Sequence, residues 1–197
     1  MAMLVGSGLC APPAQAGYVV TLTQQGPNVV ASGSGAIDLS GLTSDGTGGI
    51  GAGLIPRAGD IFTGPAAFIT TSLYTGFTGP TNFGGGGGSL ASSGSGDAVG
   101  MIFEEADLAV PLGYSSGSAL SDTSIYNNQS FASLGVKPGT YQWVWGSGGP
   151  FRSFTLQIAA AAAAVPEPAD ILLLALPLGM LLAARYRMRG PRFCLPE

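Results

Sequence analysis

Gly139-Thr140-Tyr141-Gln142-Trp143-Val144-Trp145 and, after a break of glycine, serine and proline at 146–150, Ser153-Phe154-Thr155-Leu156-Gln157-Ile158 form the most legible stretch of this chain. Tyr141, Trp143 and Trp145 recur at every second position, so they share one face of an extended strand. Phe154, Leu156 and Ile158 alternate in the same way with Ser153, Thr155 and Gln157. Two period-2 runs joined by turn-forming residues predict a β-hairpin that closes a domain.

The same pattern extends upstream. Tyr18, Val20 and Leu22 alternate with Val19, Thr21 and Thr23 until Gln25-Gly26-Pro27-Asn28 breaks the run. Val29-Val30 and residues 36–39, 68–73, 99–103 and 108–110 read as further short strands, with no capped segment of 3.6 period among them. Many short strands separated by turns predict an all-β domain, sandwich or jelly-roll-like, over residues 17–160. The glycine run at 84–88, trailed by Ser89, Ser92, Ser93 and Ser95, reads as a flexible surface loop. It lacks the lysine of a phosphate cradle, since no lysine precedes Lys137.

Composition narrows the function classes. Charged residues make up 9% of the 197-residue chain and glycine numbers 33, while the apolar share of 46% is ordinary. Average domains carry about 25% charged residues, so glycine and small polar residues have replaced charge, and a core remains within reach. Over residues 17–164 eight acids (Asp38, Asp45, Asp60, Asp97, Glu104, Glu105, Asp107, Asp122) face Arg57, Lys137 and Arg152, a net charge of −5. Such a surface cannot neutralise a run of phosphates, which excludes nucleic acid as a partner.

Chemistry is constrained as tightly. There is no histidine, and Cys10 and Cys194 lie at the two ends of the chain. Ser-His-Asp and Cys-His nucleophile systems and most zinc sites are thereby removed, so any enzyme would have to run on carboxylates. Glu104, Glu105 and Asp107 form the one acidic cluster. It could serve glycoside hydrolysis or hold Ca²⁺ with backbone oxygens, but its spacing is unlike an EF-hand loop. A solvated acidic turn between Phe103 and Leu108 is the simpler reading, and the chain is expected to be neither an enzyme nor a metal or cofactor protein. Tyr141, Trp143 and Trp145 could offer a platform for stacking sugar rings. Core packing competes with that reading, and exposure of Trp143 and Trp145 separates the two. Asn128-Gln129-Ser130 satisfies the glycosylation sequon, a pattern short enough to arise by chance.

Both ends read as processing segments. Residues 1–16 carry apolar residues around Met3, Leu4, Val5 and Leu9, followed by Ala14-Gln15-Ala16, the small-x-small pattern cut by a signal peptidase; cleavage is expected after Ala16. The first basic residue is Arg57, so the positive region of such a signal would have to lie upstream. Residues 161–197 combine three unlike elements: Val165-Pro166-Glu167-Pro168, an apolar stretch within 169–186, and a basic cluster over 185–192 with Arg185, Arg187 and Arg189. The two prolines fix backbone angles and withhold donors, favouring an extended cut site. Residues 171–184 are all apolar and, as a helix, would extend roughly 21 Å. A hydrocarbon core is about 30 Å thick, so the predicted transmembrane helix spans it marginally, helped by snorkelling arginines. The arginines would stop transfer and stay cytoplasmic.

That order of elements resembles the PEP-CTERM sorting signal of exported bacterial proteins. The resemblance implies recognition by an exosortase-type membrane enzyme that cuts near Val165, Pro166, Glu167 and Pro168, in bacteria that make extracellular polysaccharide. It also implies a transient single-pass membrane precursor, then a surface or extracellular matrix (biofilm) protein, with exopolysaccharide as a partner. Residues 132–158 resemble a β-rich domain found before such tags, which carries no assigned activity. Two function classes follow: a structural matrix protein, or a carbohydrate-binding module that uses its aromatic strand residues.

Overall fold

A strand that alternates apolar and polar residues buries one face only, so each needs a second layer to cover it. A computed structural model describes residues 17–103, 105–147 and 152–160. Ala14, Ala16, Glu104, Val165, Pro166, Glu167, Pro168, Arg185, Arg187, Arg189 and the apolar stretch 169–186 lie outside those residues. Contacts group Met1–Ala161 into one unit and Ala162–Glu197 into another, and every element below belongs to the first.

Numbered in chain order, the first sheet runs β7 (Phe77–Thr78), β13 (Gly139–Trp145), β14 (Ser153–Ile158), β1 (Tyr18–Gln25), β2 (Asn28–Ala36), β12 (Ala119–Tyr126) and β9 (Ser93–Gly96). The second runs β3 (Thr43–Ile50), β6 (Ile69–Thr75), β11 (Asp107–Pro111), β10 (Val99–Ile102), β5 (Asp60–Thr63), β4 (Gly53–Ile55) and β8 (Ser89–Leu90). The fold is an all-β sandwich. The expected hairpin is β13–β14, antiparallel with Trp143 opposite Phe154. β14 also pairs in parallel with β1, Tyr18 opposite Phe154, so the last strand locks the first into the sheet.

The core lies between the sheets. Tyr18, Val20 and Leu22 of β1, Trp143 and Trp145 of β13, and Phe154 and Leu156 of β14 pack against Leu54, Ile61, Met101 and Leu108 of the second sheet. The Trp143 and Phe154 rings meet edge-on at 5.7 Å and 77°, a favoured aromatic geometry.

The second sheet is coiled. Only Gly51 and Ala52 separate β3 from β4 in sequence, yet four strands stand between them in the sheet. Laid flat, five strand spacings would part them by about 24 Å. The step from Ile50 to Gly53 spans at most about 11 Å. The outer face is therefore concave, and it holds a small second core of Ile50, Ala98 and Ala109 with Phe62, Leu73 and Ile102 half-buried around it.

Two expectations are corrected. Residues 130–135 contain one turn of capped helix, α1 (Phe131–Leu134), where none was expected. Ser130 and Ser133 form a reciprocal capping box and Gly135 ends the turn in the left-handed region. The glycine run, expected as a free loop, is a packed seam: Gly85 and Gly86 N–H both donate to the Gly135 carbonyl, at 2.9 and 3.2 Å, and Arg57 N–H donates to the Gly86 carbonyl. A Cβ at Gly86 would stand 1.9 Å from the Leu134 carbonyl oxygen, so only glycine lets these two backbones approach.

Candidate functional site

Two of the three aromatic residues proposed for sugar stacking belong to the core. Trp143 and Trp145 are 0% and 2% exposed. Their ring N–H groups donate to the carbonyls of Pro80 and Asp38, at 3.1 and 2.7 Å. A buried indole with its donor satisfied offers no face to a ligand, because the inward side of β13 covers the sandwich interior. Tyr141 is half-buried, with its hydroxyl bonded to the Lys137 carbonyl and its ring edge-on to Phe83 at 6.0 Å. Beneath Trp145, Asp38 also pairs with Arg152 at 2.9 Å. Bonds from Ser40, then Arg152, hold the Asp38 carboxyl well below the usual carboxylate range.

The acidic cluster is divided. Glu105 is exposed, whereas Asp107 opens β11 and is only 4% exposed, so it is not part of a solvated turn. Its Oδ1 has no hydrogen-bond partner. Burial, then the charges of Asp45 and Glu105, push its carboxyl up. Among the described residues no three metal-ligating side chains come together.

A polar couple absent from the sequence reading lies inside the sandwich. Tyr18 O–H donates to Asp122 Oδ2, and Thr63 Oγ1 lies 3.0 Å from the same oxygen. Burial raises the Asp122 carboxyl to about 6, against the bonds from Tyr18 and Thr63 that lower it, with the charge of Asp97 adding to the rise. Burial, then Asp122, keeps the Tyr18 phenol neutral and donating.

A hollow lies on the concave outer face of the second sheet. Its volume is about 580 Å³, and Ile50, Ile55, Phe62, Phe68, Leu90 and Ile102 supply its apolar walls, with Asp60 and Glu105 as the charged residues among the described ones that line it. Alternation along β5 sends Ile61 inward to the main core, while Asp60 and Phe62 face the hollow. The Asp60 carboxylate is 4% exposed and accepts the Phe103 N–H at 2.8 Å. Phe68 and Leu90 stand at the rim, 76% and 77% exposed. These residues are scattered between Ile50 and Glu105 without a motif. The visible trace in the sequence is Gly49-Ile50-Gly51-Ala52-Gly53, where glycine at every second position leaves room. A Cβ at Gly51 would touch the Phe68 ring at 3.3 Å, and one at Gly53 would touch Leu90 Cδ2 at 3.3 Å.

Compared with known proteins, the chain matches no family model, no curated protein and no solved structure.

Proposed function

We propose that the chain is the precursor of an exported structural protein of the bacterial surface or extracellular matrix, carrying a C-terminal PEP-CTERM sorting signal that an exosortase-type enzyme processes. The observation that carries this reading is the order of Val165-Pro166-Glu167-Pro168, the apolar residues 171–184 and the arginine cluster, placed directly after a sandwich whose last strand ends at Ile158. In this reading residues 169–186 form a transient membrane helix with Arg185, Arg187 and Arg189 on the cytoplasmic side.

The sandwich supports removal of both ends. β1 begins at Tyr18 and β14 ends at Ile158, so a cut after Ala16 and one near 165–168 both fall outside the strand ladders. No core residue named above would be lost. The burial of Trp143 and Trp145 supports a scaffold over a carbohydrate-binding module built on those residues.

Intact-mass analysis of the exported protein tests the reading. The expected species begins at Gly17 and ends near 165–168, and a secreted mass retaining both ends would overturn it. Glu167→Ala is expected to leave uncut, membrane-held precursor. Neutral replacement of Arg185, Arg187 and Arg189 is expected to release uncut precursor, because the apolar stretch is too short to hold firmly unaided.

A further inference from the structure

We propose that the sandwich is a load-bearing module: tension drawn along the chain shears the parallel β1–β14 ladder lengthwise, and that ladder resists it as one unit. This goes beyond the sorting reading, because it rests on strand order alone and holds whatever becomes of residues 161–197.

The chain enters the sandwich at Tyr18 and leaves it at Ile158, and these two points lie on neighbouring strands. β1 and β14 pair in parallel, Tyr18 opposite Phe154 and Leu22 opposite Ile158. The entry therefore stands at one end of the ladder and the exit at the other, about 13 Å apart along the strands. Pulling the two apart drags β1 one way and β14 the other, so the bonds of all five register pairs are strained together. Had the first and last strands been antiparallel neighbours, entry and exit would share one end of the ladder, and the same pull would open its pairs one by one.

Neither strand can be peeled away from an edge. In the sheet order β14 stands between β13 and β1, and β1 between β14 and β2. β2 matches β1 over eight register pairs, and β13 matches β14 over six. Sliding would also have to move side chains through a closed interior: Tyr18, Val20, Leu22, Phe154 and Leu156 are 0% exposed and Ile158 4%. Close packing admits no lengthwise slip without opening voids that forfeit contacts. Two bonds pin the ends of the ladder. Tyr18 O–H donates to Asp122 at the entry, and Ala159 N–H donates to the Leu22 carbonyl at the exit, at 3.1 Å.

Single-molecule pulling on the full chain tests the assignment, with handles on the native Cys10 and Cys194, which flank the sandwich in sequence. The sandwich is expected to rupture in one step, at a force several-fold above that for handles on Cys10 and Ser147→Cys in a Cys194→Ser chain. Ser147 follows β13 at the end of the sheet where β1 begins, so this second pull opens the β1–β14 pairs in succession. Equal rupture forces in the two geometries would overturn the proposal. Forced unfolding follows the unfolding rate rather than equilibrium stability, so core variants supply a second readout. Val20→Ala, in the ladder, is expected to lower the rupture force. Leu54→Ala, on the second sheet and equally buried, is expected to lower the urea midpoint at least as far while leaving the force unchanged. A force that falls alike in both variants would also overturn the proposal and make resistance a property of the whole core.

Discussion

The two sheets present opposite outer faces. Across six neighbouring strands of the first, register lines up Ser95, Thr123, Ser32, Thr21, Gln157 and Thr140, a row of uncharged polar side chains. The second sheet turns Phe62, Leu73, Ile102 and Ile50 to the same side and coils around them. Both sheets bury their inner faces, so the difference lies in curvature. A sheet facing water on one side alternates apolar-in and polar-out, whereas one that coils onto its own outer face must carry apolar residues on both. Glycine and hydroxyl residues, rather than charge, cover the exposed remainder, which accounts for the 9% charged content.

The comparison implies that the main core dominates stability. Trp143→Ala is expected to destabilise the domain by about 3–5 kcal/mol, since it empties a fully buried site and leaves the Pro80 carbonyl without its indole donor. Phe62→Ala, half-buried in the satellite core, should cost about half as much. Urea unfolding of both variants checks the ranking, and a larger loss at Phe62 would make the coiled face the true core.

Two glycines sharpen the same contrast. At Gly33, a Cβ would come within 2.0 Å of the Tyr18 hydroxyl and 2.7 Å of Asp122 Oδ1. At Gly100 it would meet Phe62 Cδ1 at 2.6 Å, a side-chain atom bordering an open hollow, then the Ile61 carbonyl oxygen at 3.2 Å and Ile50 Cδ1 at 3.4 Å. Gly33→Ala is therefore expected to cost about 3 kcal/mol, combining overpacking with a disturbed buried hydrogen bond, and Gly100→Ala about 1 kcal/mol. Equal losses in denaturant titrations would show that the two faces yield alike.

The Asp122 couple also sets a pH dependence. The carboxyl titrates at about 6 in the folded protein. It titrates near about 3.9 when unfolded. Between these values the folded state binds more protons than the unfolded state, so stability falls as pH rises from about 4 to about 6 and levels off above that. The slope is at most about 1.4 kcal/mol per pH unit. Asp107, also pushed up, acts in the same direction, whereas Asp38, held down, acts only at lower pH. Asp122→Asn should flatten most of the fall. A profile as steep in that variant as in the parent would assign the slope elsewhere.

How much of this was legible follows from the residues. β1, β13 and β14 were readable because their inward positions are large and apolar. β12 was not, since its inward side reads Leu120, Asp122, Ser124 and Tyr126, with two polar residues bonded only to distant partners. β3 reads Thr-Ser-Asp-Gly-Thr-Gly-Gly-Ile, an exposed edge strand with no apolar face until Ile50. α1 is too short to show a period. The hollow escaped for another reason: Asp60, Phe62, Phe68, Leu90 and Glu105 meet only because the sheet coils, and curvature leaves no local pattern in a sequence.

The smallest expected effect concerns the hydroxyl row. Ser32 is exposed at the centre of the first sheet's outer face, and Ser32→Ala removes only a solvated hydroxyl. Surface changes of this kind stay within about 0.5 kcal/mol, because the unfolded chain hydrates the same group equally well. The variant should therefore match the parent in urea unfolding. A hollow of about 360 Å³ lies over this row, lined by Ser32, Ser34, Ser95, Ser121 and Thr123 with Asp122. It lacks the apolar walls of the hollow on the second sheet, so Ser32→Ala measures what an outer face contributes when it only meets water. A loss above 1 kcal/mol would mean that the hydroxyls of the row stabilise one another across the strands, as cross-strand pairs can. The contrast between the two faces would then be one between two kinds of cohesion, polar and apolar, instead of between a wetted face and a coiled one.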